Sequence, residues 1–272
     1  AIDLGAIASK EALRRARVAP EQVDHVIMGN AIQTSSDAIY GARHVALRAG
    51  LPVSTPALTV NRLCGSGLQA IVSGAQLILL GEAQTVLAGG IENLSQSPYV
   101  LRGARAGLRL GNGQLEDMLL SSLTDPYCGC AMAQTSDNLA RQYGISRREQ
   151  DEYAYRSHMA GARAIADGTL DQEIVPVELK DRKGAVTLFM RDDHCVADTT
   201  PEILARLSPA FGQDSMVTAG NASGLVDGAA GGPSRAARCR ARHHRKHARR
   251  DCRRHRGQFR HRGRSAAHRR WR

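Results

Sequence analysis

Residues Thr55–Ser95 read TPALTVNRLCGSGLQAIVSGAQLILLGEAQTVLAGGIENLS, and the order of apolar runs in this stretch decides the fold. Ala57–Val60 is short, apolar and β-compatible. Ser66–Leu80 then places Leu68, Ile71, Val72, Ala75 and Leu79 at the spacing of one helical face. Ala70, Leu77, Ile78 and Leu80 make the opposite face apolar as well, and no charge occurs between Leu63 and Gly81. Such a helix is expected to be covered on nearly every side. Gln84–Ala88 supplies the next strand. Short strands alternating with helices predict an α/β fold in layers around a largely parallel sheet.

Cys64 stands at the N-terminal end of the predicted helix. Unpaired amide N–H groups and the positive dipole end of a helix stabilise a thiolate there. Gly65 and Gly67 flank Ser66 and let backbone approach without a Cβ in the way. A thiol so placed can take an acyl group. The plainer reading of a cysteine in an apolar context is a small buried residue, and spacing alone leaves both readings open.

Three motifs extend the picture: NRLCGSGLQAI at 61–71, AGGIENLSQSPY at 88–99 and VTAGNASGLVDGAA at 217–230. Together they make residues 1–230 resemble the thiolases, the acetyl-CoA acetyltransferases and 3-ketoacyl-CoA thiolases. The resemblance implies that Cys64 is the nucleophile that becomes acylated, and that Met132 and Ser223 touch the coenzyme A thioester. It implies a thiolase-like layered fold: residues 1–95 with 217–230 as the N-terminal half, and 96–216 as an inserted loop domain that covers the coenzyme A. Against that pattern the family's first strand and its C-terminal half are expected to be missing from these 272 residues, and a chain so truncated is expected to be inactive. No metal and no cofactor beyond the acyl-CoA substrate are expected, and family members form homo-oligomers. Two positions depart from the pattern. Ala131-Met132 stands where the family often has His-Met, and Cys195 and Val196 follow His194 where a basic residue is common.

The net charge of +11 has to be read in two parts. Residues 231–272 hold 16 Arg, one Lys and one Asp, a net of +16, so residues 1–230 total −5. The body is thus slightly acidic and long enough to bury a sizeable core. Cysteines at 64, 128, 130, 195, 239 and 252 follow neither a secreted disulfide pattern nor a CxxC pair, which favours a reducing compartment. No signal peptide opens the chain and the longest apolar run is interrupted by Gln, Gly and Glu82. No membrane span and a cytoplasmic location are therefore expected.

Elsewhere, Ala1–Arg17 reads as an amphipathic helix with Ile7, Ala8, Ala12 and Leu13 inward, Val23–Met28 as a strand, and Gly41–Ala49 as a short helix ended by Gly50. Met132–Tyr143 and Arg147–Asp167 are helices each closed by glycine, the second with Ser146 as N-cap and Glu149 three residues on. Two strands, within 173–179 and 185–189, flank a turn at Asp181–Gly184. Cys128-Gly129-Cys130 suits a metal or a redox pair, but no second ligand pair stands at zinc-like spacing. Gly111–Gly113 is a loop, without the strand that a dinucleotide motif needs.

Residues 231–272 lack an apolar period and repel themselves, so they are not expected to fold alone. As a cationic tail they would bind nucleic acid through phosphates, with Phe259 and Trp271 stacking on bases, which makes a nucleic-acid-binding or interaction protein the competing functional class. An out-of-frame reading of a GC-rich gene gives the same composition. On that account Cys239 with His243, and Cys252 with His255, are incidental. Acyl chain length and reaction direction are not legible in these residues.

Overall fold

The structure is a computed structural model and describes residues 1–235. The expectations placed on residues 236–272 lie outside the described residues. The sheet is built from β1 (His25–Gly29), β2 (Ala57–Val60), β3 (Thr85–Asn93) and, far along the chain, β10 (Asp227–Arg235), in the order β10-β3-β1-β2. β1 is parallel to both β2 and β3, whereas β10 runs antiparallel to β3. Helices α1 (Ile2–Ala16) and α2 (Gly41–Arg48) cover one face of the sheet, and α3 (Ser66–Leu80) packs on the other. The result is a three-layer α/β arrangement.

Strand alternation sends side chains into two separate cores. Val26, Met28, Leu87 and Ile91 join Ile2, Leu13 and Val45 on the α1/α2 side. Ile27, Val86 and Ala88 meet Ala70 on the α3 side. Asp24 ties the strand entrances together, its Oδ2 accepting the N–H groups of Gln84 and Thr85 at 2.7 and 2.9 Å.

Two helices present a different face from the one their large residues suggest. In α1 the buried residues are Ile2, Gly5, Ala6, Ser9 and Leu13, while Ile7, Ala8 and Ala12 are only half-buried. In α3 the buried residues are Ser66, Ala70 and Gly74, whereas Leu68, Leu79 and Leu80 are 68%, 85% and 73% exposed and Ile71 and Val72 are open as well. The expectation of a helix covered on all sides is corrected within this chain. The reason is distance. A Cβ on Gly29 would lie 2.3–2.5 Å from the Ser66 and Gly67 backbone, and one on Gly74 would lie 2.9 Å from Val86 Cγ1. Only the small-residue face fits so close to the sheet, so the large residues point away from it. Gly5 does the same for α1, where a Cβ would meet Ile91 and Val45 at 2.6 and 2.8 Å.

By length and composition Leu63–Leu80 is apolar enough to cross a membrane. The helix proper, however, has 15 residues, about 22 Å at 1.5 Å each against about 30 Å of hydrocarbon. Its small face is already occupied by β1 and β3.

Between β3 and β10 the chain makes one long excursion. It leaves the sheet at Asn93 and returns at Asp227, the register partner of Asn93. Ser95 clasps the neck, its N–H donating to Asp227 Oδ1 at 3.0 Å and its hydroxyl to Oδ2. The excursion contains the hairpins β4 (Tyr99–Leu101) with β5 (Leu115–Asp117), β6 (Thr124–Asp125) with β7 (Cys130–Ala131), and β8 (Val177–Lys180) with β9 (Val186–Phe189). Its helices are α4 (Met118–Ser122), α5 (Met132–Tyr143), α6 (Arg147–Ala166) and α7 (Pro201–Arg206). The expected capping box is present at α6: Ser146 Oγ accepts the Glu149 N–H, and Glu149 Oε2 accepts the Ser146 N–H at 2.7 Å. Segment 215–222 is bonded to α5 and α6, so the excursion returns at Asp227 rather than at Val217. β10 carries five residues past Ala230, and the tail expected to begin at Gly231 is strand as far as Arg235.

Two measurements check this packing. Gly29→Ala must push α3 off the sheet and is expected to cost at least about 1–3 kcal/mol in urea unfolding. The outer face of α3 leaves several large side chains uncovered, each about 1.5–3 kcal/mol of unrealised burial. The isolated chain is therefore expected to associate at micromolar concentration in sedimentation velocity, and Leu68→Glu with Leu79→Lys is expected to reduce that association.

Candidate active site

The carboxyl ends of β1, β2 and β3 lie along one edge of the sheet, the edge at which open parallel α/β sheets place their sites. β2 ends at Val60, and after the five residues 61–65 the chain enters α3 at Ser66. In that short turn Leu63 adopts φ 48, in the left-handed region that a branched side chain avoids, and Gly65 occupies the N-cap. Ser66 holds the turn closed. Its hydroxyl donates to the Leu63 carbonyl at 2.6 Å and accepts the Arg62 N–H at 2.8 Å. The Leu63 N–H donates to Asn61 Oδ1 at 2.9 Å. Cys64 is thereby held at the tip, a free and solvent-exposed thiol. Among the described residues its sulfur has no hydrogen-bond partner. The reading of Cys64 as a buried apolar residue is excluded by this exposure.

A second set of residues, which the motifs contained without indicating a role, supports the turn from the neighbouring strands. Glu92, near the end of β3, accepts the Ala31 and Ile32 N–H groups at 2.8 and 3.1 Å and the Asn30 side-chain amide at 2.8 Å. Asn30 also donates to the Ile91 carbonyl at 3.0 Å. Asn61 donates to the Ala31 carbonyl at 3.0 Å while its own carbonyl oxygen receives Leu63. A chain of bonds thus runs from Glu92 through loop 30–32 and Asn61 to the residue before Cys64. Glu92 is 60 to 62 residues from its partners and Asn61 is 30 from Ala31, and the parallel pairing of β1 with both β3 and β2 brings them together.

Met132 and Ser223 lie in the excursion. Met132 is the first residue of α5 and half exposed; its N–H donates to the Leu123 carbonyl at 2.9 Å. Ser223 is exposed in the loop before β10. That loop is built firmly. Asn221 donates to Asp151 Oδ1 at 2.9 Å and to the Met216 carbonyl at 3.0 Å, and its oxygen accepts the Thr218 N–H at 2.7 Å. Buried Asp151 is paired with Arg147 at 2.8 Å, and Arg147 also donates to the Leu204 and Leu207 carbonyls. Buried Asp137 accepts the Met216 N–H at 2.8 Å. His158 bridges two segments: its Nδ1 accepts the Val196 N–H, which leaves Nε2 to donate to the Gly220 carbonyl, both at 3.3 Å. The His194 ring lies against Gly224, where a Cβ would come within 2.0 Å of it. Among the described residues no hydrogen bond joins Cys64 to Met132 or to Ser223.

Asp227 links the two regions. Burial pushes its carboxyl upward, but the Ser95 hydroxyl and the Ser95 and Leu94 N–H groups outweigh this and hold it below the usual carboxylate range. Among the described residues no cluster of three or more His, Cys, Asp or Glu side chains is arranged to hold a metal.

A strand, a strained turn and a helix together present an exposed cysteine at the sheet edge. Comparison with known proteins gives the family. Residues 1–231 match the family described as "Thiolase, N-terminal domain", and the chain belongs to the thiolase family. It is 51% identical over 230 residues to a human protein named "3-ketoacyl-CoA thiolase, mitochondrial", with 84% of this chain and 58% of the relative aligned. It is 48% identical over 229 residues to "Beta-ketothiolase BktB" of Cupriavidus necator, with 84% of this chain and 58% of that protein aligned. Among solved structures, human mitochondrial 3-ketoacyl-CoA thiolase in complex with CoA is 49% identical and superposes with a TM-score of 0.81, covering 86% of this chain and 58% of that one. Bacillus anthracis acetyl-CoA acetyltransferase, 44% identical, gives 0.79 over 85% of this chain and 58% of its own. The chain therefore spans about 58% of the length of the relatives it matches.

The turn makes a direct test possible. Ser66→Ala removes a donor and an acceptor at once and is expected to cost about 1–3 kcal/mol. Asn61→Ala severs the link to loop 30–32. Both variants are expected to change the rate of Cys64 alkylation by iodoacetamide, read by peptide mass, whereas Arg148→Ala on the exposed face of α6 is expected to leave it unchanged.

Proposed function

We propose that this chain carries the nucleophile of a thiolase-type acyltransferase acting on acyl-CoA thioesters. The observation that carries the reading is the exposed Cys64 thiol held between β2 and α3, within a chain that belongs to the thiolase family. In the proposed reaction the Cys64 thiolate adds to the keto carbonyl of a 3-ketoacyl-CoA and the C2–C3 bond breaks. Acetyl-CoA leaves as its enolate and takes up a proton, while the shortened acyl group stays on Cys64 as a thioester. The thiol of a second coenzyme A then accepts the acyl group from Cys64. Run backwards, the sequence is a Claisen condensation of two acyl-CoA molecules. Met132 and Ser223 are proposed to contact the thioester, Ser223 from a loop held by Asp151, Asn221 and His158.

Turnover requires more than a thiolate. A base must take the cysteine proton, donors must hold the oxyanions, and an acid must meet the enolate. The described histidines do not fill these roles at Cys64. His25 bonds the Val26 carbonyl, His44 faces Asp37, His158 bridges Val196 and Gly220, and His194 packs on Gly224. Loss of even one positioned donor costs about two to three orders of magnitude in rate. We therefore propose that the 272-residue chain acylates Cys64 without sustained turnover unless another segment or chain supplies those groups. The competing reading as a nucleic-acid-binding protein rests on residues outside the described part, and the comparisons lend it no support.

The test is incubation of the purified chain with acetoacetyl-CoA and CoA. Acetyl is expected on the peptide bearing Cys64, absent from Cys64→Ala, with no sustained loss of the enolate absorbance beyond that control. Continuous turnover above Cys64→Ala would refute the incompleteness. Absence of acylation at Cys64, in a chain whose Cys64 still alkylates, would refute the nucleophile.

A further inference from the structure

The β6–β7 hairpin carries chemistry that acyl transfer does not use. Its tip is Cys128-Gly129-Cys130, both cysteines free, Cys128 exposed and Cys130 half-buried. Two cysteines separated by one residue in an extended chain would stand about 7 Å apart at Cα, beyond the reach of a disulfide. Here the chain is bent. Gly129 adopts φ 69, a conformation that L side chains avoid. Its N–H donates to the Asp125 carbonyl at 2.8 Å, and Asp125 is the register partner of Cys130. The Tyr127 N–H donates to Asp125 Oδ1 at 2.9 Å and tightens the same turn. The Cys130 sulfur folds back to within 3.7 Å of the Cys128 carbonyl, while the Cys128 sulfur lies 3.5 Å from Asp125 Oδ2.

We propose that Cys128 and Cys130 form a reversible dithiol–disulfide couple that exchanges with small disulfides. Cys130 lines an open polar cleft of about 390 Å³ with Gln134, Asn138 and Arg141, which gives a small reagent access to its sulfur. The Cys130 thiolate attacks one sulfur of a disulfide RSSR, forms a mixed disulfide and expels RS⁻. Cys128, its S–H directed at the Asp125 carboxylate, gives up its proton and attacks the Cys130 sulfur, expelling the second RS⁻. Two thiols and RSSR become one protein disulfide and two RSH, so atoms and electrons balance. The backbone N–H of Cys130 favours the Cys128 thiolate, but partial desolvation, the Asp125 carboxylate and the Cys130 thiol outweigh it and raise the Cys128 thiol above its ordinary range. Cys130 lines the cleft by which the reagent enters, whereas the Cys128 S–H is engaged by Asp125, and Cys130 is therefore the sulfur assigned the first attack. A ring closed over a single residue gains little from loop entropy and is strained, the property of labile rather than structural disulfides.

This assignment stands apart from the acyl-transfer reading and does not require Cys64 to be a nucleophile. Its consequence is local: closing the ring stiffens the turn that leads, two residues on, into Met132 at the start of α5.

The full chain is treated with oxidised glutathione, quenched with acid, alkylated and cut with trypsin. Leu110–Arg141 is a single tryptic peptide that contains Cys128 and Cys130 and no other cysteine. It is expected to lose two hydrogens and retain no glutathione, and to regain both thiols with dithiothreitol. In Cys128→Ser glutathione is expected to remain on Cys130, and in Cys130→Ser on Cys128. The folded chain is expected to close the ring faster than the same chain unfolded in urea. The proposal is overturned if glutathione stays on the wild-type peptide, if both thiols survive conditions that modify Cys64, or if the unfolded chain closes as fast as the folded one.

Discussion

Everything at the sheet edge depends on how closely α3 lies against β1 and β3. The contact is made by positions without side-chain bulk: Gly29 against the Ser66–Gly67 backbone, Gly90 against Gly67, and Gly74 against Val86. At Gly29 backbone meets backbone and a single methyl group would have to displace the helix, at Gly74 it would press on the Val86 side chain, and at Gly90 it would only reach van der Waals contact with Gly67. The N-terminus of α3 is therefore fixed relative to the ends of all three parallel strands. Cys64 stands where it does because the turn before α3 has only four residues, Asn61 to Cys64, plus the Gly65 cap in which to reverse direction. The left-handed Leu63 is the cost of so short a connection, of the order of 1 kcal/mol or more. Two bonds from Ser66 and one from Asn61 hold it there.

The same constraint accounts for the exposed face of α3. A helix can place only one arc against a sheet, and the arc chosen here is the narrowest. Leu68, Ile71, Leu79 and Leu80 are left as an apolar surface on the side away from β1 and β3. Such a face is rarely left uncovered, and about two-fifths of the length of the relatives lies outside the part that this chain matches.

Much of this was legible in residues 55–95. The bounds of β2 and α3 follow from the apolar run and from the glycines and polar residues that punctuate it, and the capping box at Ser146 marks the start of α6 without any tertiary information. Which face of each helix turns inward was not legible. Apolar periodicity counts bulk, whereas the packing here selects smallness, so Ile7, Ala8 and Ala12 of α1 are half-buried rather than inward, and α3, apolar all round, is covered on its small-residue face alone. The strand over 84–88 extends to Asn93 through Gly89 and Gly90, residues that weaken a strand in isolation, because both pair with β1 and β10, and Gly89 is required by a neighbour from far along the chain. A Cβ on Gly89 would lie 2.3 Å from the Ala230 carbonyl oxygen. The part played by Glu92 was hidden for a related reason: its partners are some 60 residues upstream and adjacent only after β1 and β3 pair.

The two rigid regions are built on different principles, and this bears on how they would work together. Cys64 is held by backbone geometry at the sheet, with Glu92, Asn30 and Asn61 as its outer support. Ser223 is held by side chains of α5 and α6, in which buried Asp137 and Asp151 are fully occupied by Met216, Asn221 and Arg147. Neither network reaches into the other. They are joined at the neck of the excursion, where Asp227 receives both donors of Ser95 directly beside the register pair Asn93–Asp227. Asp227 therefore fastens the start of β10 to the residue that follows β3. The carboxylate must be ionised to accept both donors, and its lowered proton affinity keeps it so throughout the neutral range. The contribution is present above the ordinary carboxylate range and is lost from the neck as pH falls through the depressed folded value.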